Sequence, residues 1–187
     1  MVDGMIDLSN ERALPLGQRH IANDTASITA AEPASRVSLR ADADQVHLLE
    51  KALGFELPKK PKATTGKDDA HALWIGPDEW YVYGPDDPGF MDRFKNLPDT
   101  VSAVDVAHRN TAIVISGTGA RSVLAGACPH DLRDSSLAVG AATRTIFSKA
   151  EIILHRTGKD EYRLECWRSF SHYVWTLAAD SLKLNAA

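Results

Sequence analysis

Three groups in the middle of the chain carry side chains able to do chemistry. Asp105, His108 and Arg109 interrupt a run otherwise built of Val and Ala, VDVAHRN. On a regular strand Asp105 and Arg109 share a face about 13 Å apart, at ~3.3 Å per residue, and cannot pair directly; His108 falls with Val104 and Val106 on the opposite face. Two readings stand side by side. In one, Arg109-Asn110 is a turn between strands and Asp105 bonds nearby backbone. In the other, Arg109 together with Arg168 presents forked donors to a carboxylate, a phosphate or an acid on a partner. The second makes Asp105, His108, Arg109 and Arg168 candidates for a subunit interface. Trp74 and Trp80 join them, because large aromatics anchor interfaces as readily as they fill cores.

Gly117-Thr118-Gly119 lies between a strand-forming run and a helical one, where a dinucleotide fingerprint would sit. The third glycine position is Ser122, however, the helix stops at Pro129, and no apolar parallel strand or ribose-binding acid follows. The spacing predicts a tight turn. Cys128, His130 and Asp131 are metal-type side chains, but no CxxC or HxxxH accompanies them, and Pro129 marks a helix exit. No Ser/His/Asp or Cys/His pairing has informative spacing, and the acid pairs Asp68-Asp69 and Asp86-Asp87 lie in loops. The residues therefore nominate no catalytic, cofactor-binding or metal-binding group in this chain.

The elements that position these residues follow from periodicity. Thr111 to Ser116 is a β-rich run apolar on both faces, Gly117 and Gly119 give a sharp exit, and Ala120, Val123, Leu124 and Ala127 recur at helical spacing. Upstream, Ser35 to Arg40 alternates as a half-buried strand, and Asp42 with Gln45 suits a capping box for a helix striped by Val46, Leu49 and Leu53 and closed by Gly54. Lys59 to Asp69 reads as a polar, mobile loop. Ala72 to Ile75 and Trp80 to Tyr83 form a hairpin around Gly76 to Glu79. Phe90, Phe94 and Leu97 make a helical stripe, and Val101 to Ala107 is a strand. The second half repeats this grammar with strands Ala142 to Phe147, Glu151 to His155 and Tyr162 to Cys166, one more than the first half. A last helix, capped at Ser169, has an apolar face of Phe170, Tyr173, Val174, Leu177 and Ala178. The expected fold is α+β: two ferredoxin-like βαββαβ-type halves in one compact body. Residues 1–24 read as an extended N-terminal arm, 25–100 as the first half and 101–187 as the second.

At 187 residues, 44% hydrophobic and 25% charged, the chain can bury a sizeable core. A net charge of −4 without a Lys/Arg block lacks the footprint of a nucleic-acid binder. No apolar run approaches membrane-spanning length, and acids stand where a signal peptide needs positive charge, which predicts a cytoplasmic chain with no membrane partner. Cys128 and Cys166, far apart, fit a reducing compartment. Cys166 shares a strand face with Tyr162 and Leu164, the place of a small buried hydrophobe.

The stretch VDVAHRNTAIVISGTGARSVLAGACPHDL, with ALWIGPDEWYVYG (72–84) and RSFSHYVWTL (168–177), resembles the gamma subunit family of heterotetrameric sarcosine oxidase. More distantly, it is similar to the folate-binding fold of the glycine-cleavage aminomethyltransferase. His130 departs from the family pattern, which more often has an apolar residue before Asp-Leu. The resemblance implies a non-catalytic gamma subunit that stabilises flavin-bearing partners in an assembly with alpha, beta and delta subunits. Such an assembly oxidises sarcosine with O2 and water to glycine, formaldehyde and H2O2, or forms 5,10-methylenetetrahydrofolate when tetrahydrofolate accepts the one-carbon unit. FAD, FMN, NAD and tetrahydrofolate are then expected in the partner subunits and none in this chain. The alternative is a free-standing folate-binding one-carbon-transfer protein, which needs acids able to hold a pterin; an unrelated adaptor of the same fold is a third class.

Overall fold

The structure, a computed structural model, describes residues 14–184. Regular structure begins earlier than the extended arm allows, with a hairpin of β1 (His20–Ala22) and β2 (Ser27–Ala30). Its turn is held by the Asn23 side chain, whose Oδ1 accepts the N–H groups of Thr25 and Ala26 and the Thr25 hydroxyl. A hairpin this short shows no periodicity, so the Asx turn is its one sequence signal. Residues 1–13 of the expected arm lie outside the described residues.

The chain continues as β3 (Ala34–Arg40), α1 (Val46–Leu53), β4 (Thr64–Lys67), β5 (Ala70–Gly76) and β6 (Glu79–Pro85), then a 3-10 turn at Phe90–Phe94 and β7 (Ser102–Asp105). After it come β8 (Asn110–Ser116), α2 (Ala120–Ala125), β9 (Ala142–Phe147), β10 (Ala150–Gly158) and β11 (Glu161–Trp167), a 3-10 turn at Arg168–Phe170, and α3 (Ser171–Leu184). The strands form two antiparallel sheets, ordered β4-β5-β6-β3-β7 and β1-β2-β8-β11-β10-β9. Each half thus runs strand, helix, three-stranded meander, with the meander's last strand returning beside the first. The four strands β5-β6-β3-β7 keep the ferredoxin-like order. In the second sheet the place of β7 is taken by β2, which reaches back from the N-terminal hairpin to pair with β8. Ser27–Ala30, placed with the first half by sequence position, belongs to the second half's sheet.

Both halves own the extra strand, correcting the expectation that only the second does. The additional member is β4, in the segment that reads as a mobile polar loop. Its sequence, Thr-Thr-Gly-Lys, lacks an apolar face, but it pairs with β5 from Thr64↔Leu73 to Lys67↔Ala70. The preceding residues are tied to the second half: Lys62 Nζ donates to the Ser136 carbonyl at 2.7 Å, Ala142 N–H to the Lys62 carbonyl at 3.0 Å, and the Thr64 hydroxyl to the Gly140 carbonyl.

Period-two alternation sends each strand's two faces into different layers. Val37, Leu39, Ala72, Trp80 and Val82 pack under α1 and the Phe90–Phe94 turn. Ile113, Ile115, Ile152, Leu154, Tyr162, Leu164 and Cys166 pack under α2 and α3. The remaining faces meet each other through Leu73, Ile75, Tyr81, Tyr83, Ala142 and Ile153. The order is helices, sheet, sheet, helices, and it explains why β8 is apolar on both sides.

Local differences have local causes. Gly54 closes α1 in the left-handed region, φ +88°, as expected, but Gln45 makes no side-chain cap and the capping box does not form. The Phe90 stripe makes a 3-10 turn rather than a helix, Val101 to Ala107 shortens to Ser102–Asp105, and the hairpin turn tightens to Pro77-Asp78. Ser169 lies inside the 3-10 turn, so it caps nothing. The buried stripe of α3 is Val174, Trp175, Ala178, Ala179 and Leu182, whereas Phe170 and Tyr173 face outward. Burying Val174 and Leu182 contributes about 1.5–3 kcal/mol each.

Candidate functional site

The polar side chains of the inter-sheet layer converge on Glu165. Its Oε2 accepts Arg36 Nε at 2.7 Å and the Tyr81 hydroxyl at 2.8 Å, and its Oε1 accepts Arg163 Nε at 2.8 Å. Two guanidinium groups share one carboxylate, so the cluster carries one excess positive charge. Burial pushes the Glu165 carboxyl up, but Arg163 and Arg36 outweigh it and hold the group below its ordinary value. Tyr81 is pushed well up, first by burial and then by the Glu165 charge.

Beside this cluster Tyr83 and His155 join at 2.8 Å between hydroxyl and Nδ1, and His71 stacks within 5.0 Å of the Tyr83 ring and 5.4 Å of His155. The Arg163 guanidinium lies 4.5 Å over the Tyr83 ring. Burial, then His71 and Arg163, push His155 down to about 4; burial and Arg163 lower His71 as well. Both imidazoles are neutral at neutral pH. These groups floor a cleft of about 720 Å³ opening between the two sheets, with Thr64, Lys67, Thr157 and Glu161 at its rim.

The interface candidates fall elsewhere. Asp105 ends β7 and its Oδ1 accepts the Ala107 N–H at 2.8 Å, while Val106 to Asn110 turns the chain, Arg109 N–H and Asn110 N–H both reaching the Val106 carbonyl at 3.0 Å. His108 is exposed in that turn rather than on a strand face with Val104. Arg109 and Arg168, far apart in sequence, are neighbours: Arg168 N–H donates to the Arg109 carbonyl at 2.8 Å. The Arg109 guanidinium lies 5.6 Å over Trp167, whose ring is 6.4 Å from Phe170. Trp167 and Phe170 are 43% and 39% exposed. Trp74 and Trp80 are directly paired across β5 and β6, hence on the same face. Trp80 is buried there with Nε1–H donating to the Pro58 carbonyl at 2.7 Å, and Trp74 is half-buried.

The glycine turn holds backbone. Gly117 has φ +108°, and a Cβ there would lie 2.4 Å from the Thr25 carbonyl oxygen; at Gly119 it would lie 2.7 Å from Thr25 Oγ1. The turn of the β1-β2 hairpin fills the space a pyrophosphate would need. At the helix exit Asp131 pairs with Arg133 at 2.7 Å, and burial pushes the Cys128 thiol up. Among the described residues no three His, Cys, Asp or Glu side chains gather closely enough to hold a metal ion, and no helix is long and apolar enough to cross a membrane.

The model of the sarcosine oxidase gamma subunit family matches residues 38–183, from within β3 to the last turn of α3. The chain belongs to that family. The gamma subunit of sarcosine oxidase from Corynebacterium sp. (strain U-96) is 28% identical over 199 residues, spanning 96% of this chain and 95% of the relative. The gamma subunit from Arthrobacter sp is 28% identical over 117 residues, 61% of this chain and 58% of the relative. The fold is shared with a chain of the heterotetrameric sarcosine oxidase from Corynebacterium sp. U-96 in complex with pyrrole 2-carboxylate, at TM-score 0.82, 23% identity and coverage of 90% and 89%. It is shared more loosely with the glycine cleavage system aminomethyltransferase T from Bartonella henselae, at TM-score 0.61 and 10% identity over 82% of this chain and 45% of that one. The gamma subunit family thus carries the two-half α+β body. Sequence reasoning singles out neither the charge cluster around Glu165 nor the imidazole pair. Arg36 and Glu165 sit on strand faces that alternation alone assigns to solvent.

Proposed function

We propose that this chain is a non-catalytic gamma subunit of a cytoplasmic heterotetrameric sarcosine oxidase and stabilises partners that hold the redox cofactors. The family match over both halves carries the reading. A joining role suits Glu165, Arg36 and Tyr81, which are buried between the two sheets and tie them together. FAD, FMN, NAD and tetrahydrofolate belong, in this reading, to alpha, beta and delta partners. The assembly converts sarcosine, O2 and water to glycine, formaldehyde and H2O2, or passes the one-carbon unit to tetrahydrofolate as 5,10-methylenetetrahydrofolate. The surface best suited to a partner is the one around Trp167, Phe170 and Arg109, aromatics and a guanidinium being the groups that anchor interfaces.

The test is to tag the chain, purify it from its host, and measure the mass of what comes with it, its flavin absorbance and its sarcosine-dependent peroxide production. A large yellow complex active on sarcosine supports the reading. A colourless chain that stays alone when the neighbouring subunits are co-expressed overturns it, and saturable folate binding by that lone chain would support the one-carbon-transfer alternative instead.

A further inference from the structure

We propose that the end of the inter-sheet layer away from the cleft docks an acidic surface of a partner subunit, one that presents carboxylates around apolar side chains. The inference rests on the reading that the chain assembles with partners, and it names the chemistry they bring. One face of β11 runs from Glu161 at the cleft through Arg163 and Glu165 to Trp167, about 20 Å at ~3.3 Å per residue. At that far end Trp167 lines a shallow hollow with Arg109, Arg144, Glu79 and Glu151. Exposed apolar side chains gather around it. Ile146 and Val104 are 45% and 53% exposed, and Phe170 is 6.4 Å from Trp167. Ile146 is the cross-strand partner of Glu151, and Val104 that of Ser38, both of which line the hollow. Four of the seven large hydrophobic side chains exposed among the described residues are thus neighbours, which marks an interaction surface where scattered ones would not.

The charges decide the partner. Two carboxylates at this end each serve two guanidinium groups. Glu79 takes Arg40 at 3.2 Å and Arg144 at 2.9 Å, and Glu165, which also lines the hollow, takes Arg36 and Arg163. Arg109 donates to a neutral acceptor, Asn110 Oδ1 at 3.1 Å. Among the described residues no carboxylate pairs with Arg109 and no cation with Glu151. Asp105, next to Val104 in β7, alternates to the opposite face beside Val37. Five guanidinium groups therefore stand against three carboxylates, an excess of two positive charges on a chain whose net charge is −4. A surface carrying carboxylates is drawn to this end, and the planar fork of an exposed arginine pairs with them. A second copy of the chain would bring the same excess of positive charge to an isologous contact and be repelled.

The experiment co-expresses the neighbouring subunits with two differently tagged full-length copies of this chain, wild type and variant, and measures the ratio in which the purified complex holds them. Arg109→Glu is expected to be under-represented by about ten-fold and Arg144→Gln by about three-fold. Glu151→Gln removes a carboxylate that would face carboxylates, and is expected to be over-represented by about three-fold. Melting each variant alone separates lost assembly from lost folding, and a gain by Glu151→Gln cannot come from misfolding. In a complex that forms, Glu151→Gln incorporated no better than wild type, or folded arginine variants incorporated as well as wild type, overturns the acidic docking surface and leaves the subunit reading standing. A wild-type chain that joins no complex overturns both. A dimer of the isolated chain that is lost in Arg109→Glu gives the face to a second copy and overturns the partner assignment.

Discussion

Glu165 of β11 and Arg36 of β3 meet at 2.7 Å across the two sheets, with only 1% and 3% of their side chains exposed. The pair lies where the halves join, so it couples their stability. The partners are unequal, because Glu165 also serves Arg163 and Tyr81. Glu165→Leu leaves two guanidinium groups facing each other without a carboxylate and is expected to destabilise by about 3–5 kcal/mol. Arg36→Met leaves Glu165 with Arg163 and Tyr81 and is expected to cost clearly less. Urea unfolding of both variants checks this; an equal loss, or a larger one for Arg36→Met, contradicts the shared-carboxylate geometry.

His155 gives the fold a pH dependence. Its folded value of about 4 lies below the unfolded value of about 6.5, so the unfolded chain binds the proton more readily. The resulting stability is fully present above about pH 6.5 and is lost as pH falls towards 4, on the order of 3 kcal/mol. The neighbours that set this are His71 and Arg163, which oppose protonation, and Glu165, which favours it. Carboxylates held low, Glu165 among them, act in a more acidic window. His155→Gln is expected to flatten the dependence of the urea midpoint between pH 6.5 and 4.5, leaving a residual slope from His71 and His130, both also lowered.

The long elements are legible in the sequence because their burial is one-sided and periodic. β8, its glycine turn and α2 can be read from Thr111 to Ala127, β9 from Ala142 to Phe147, and Cys166 does lie with Tyr162 and Leu164 in the core under α2 and α3. Short elements stabilised by distant chain cannot be read this way. β4 is polar throughout and is held by β5 and by Ser136 and Gly140; β1 and β2 depend on β8. The cleft and the Glu165 cluster are hidden for a related reason. Arg36 alternates with Val37 and Leu39 just as a solvent-facing residue would, and only the second sheet turns that face inward. Charges at Arg163 and Glu165 in a strand otherwise apolar on its alternate positions are the available hint.

Gly117 tests the docking of the N-terminal hairpin. Its φ of +108° and the 2.4 Å that would separate an added Cβ from the Thr25 carbonyl oxygen mean that Gly117→Ala strains its own backbone and displaces the β1-β2 turn. Gly140, at φ +84° with open space around it, has the backbone penalty alone. Thermal unfolding should show Gly117→Ala losing about 1–3 kcal/mol more than Gly140→Ala. Hydrogen exchange should then show β2 losing protection before β9 does.

The exposed aromatic pair separates assembly from folding. Trp167 and Phe170 are partly exposed, while Val174 and Leu182 in the α3 helix that follows are buried. Trp167→Ala and Phe170→Ala are therefore expected to leave the urea midpoint of the isolated chain within the range of ordinary surface substitutions, about ±0.5 kcal/mol. If this face meets a partner subunit, Trp167→Ala should weaken co-purification by about 2 kcal/mol, roughly thirty-fold in affinity, and Arg109→Ala by less, because its guanidinium acts partly through the Trp167 ring. Titration of the tagged chain against its co-expressed partners measures both. A Trp167→Ala chain that assembles at wild-type affinity moves the partner surface to another face of the body, with the half-buried Trp74 on the α1 side the next to substitute.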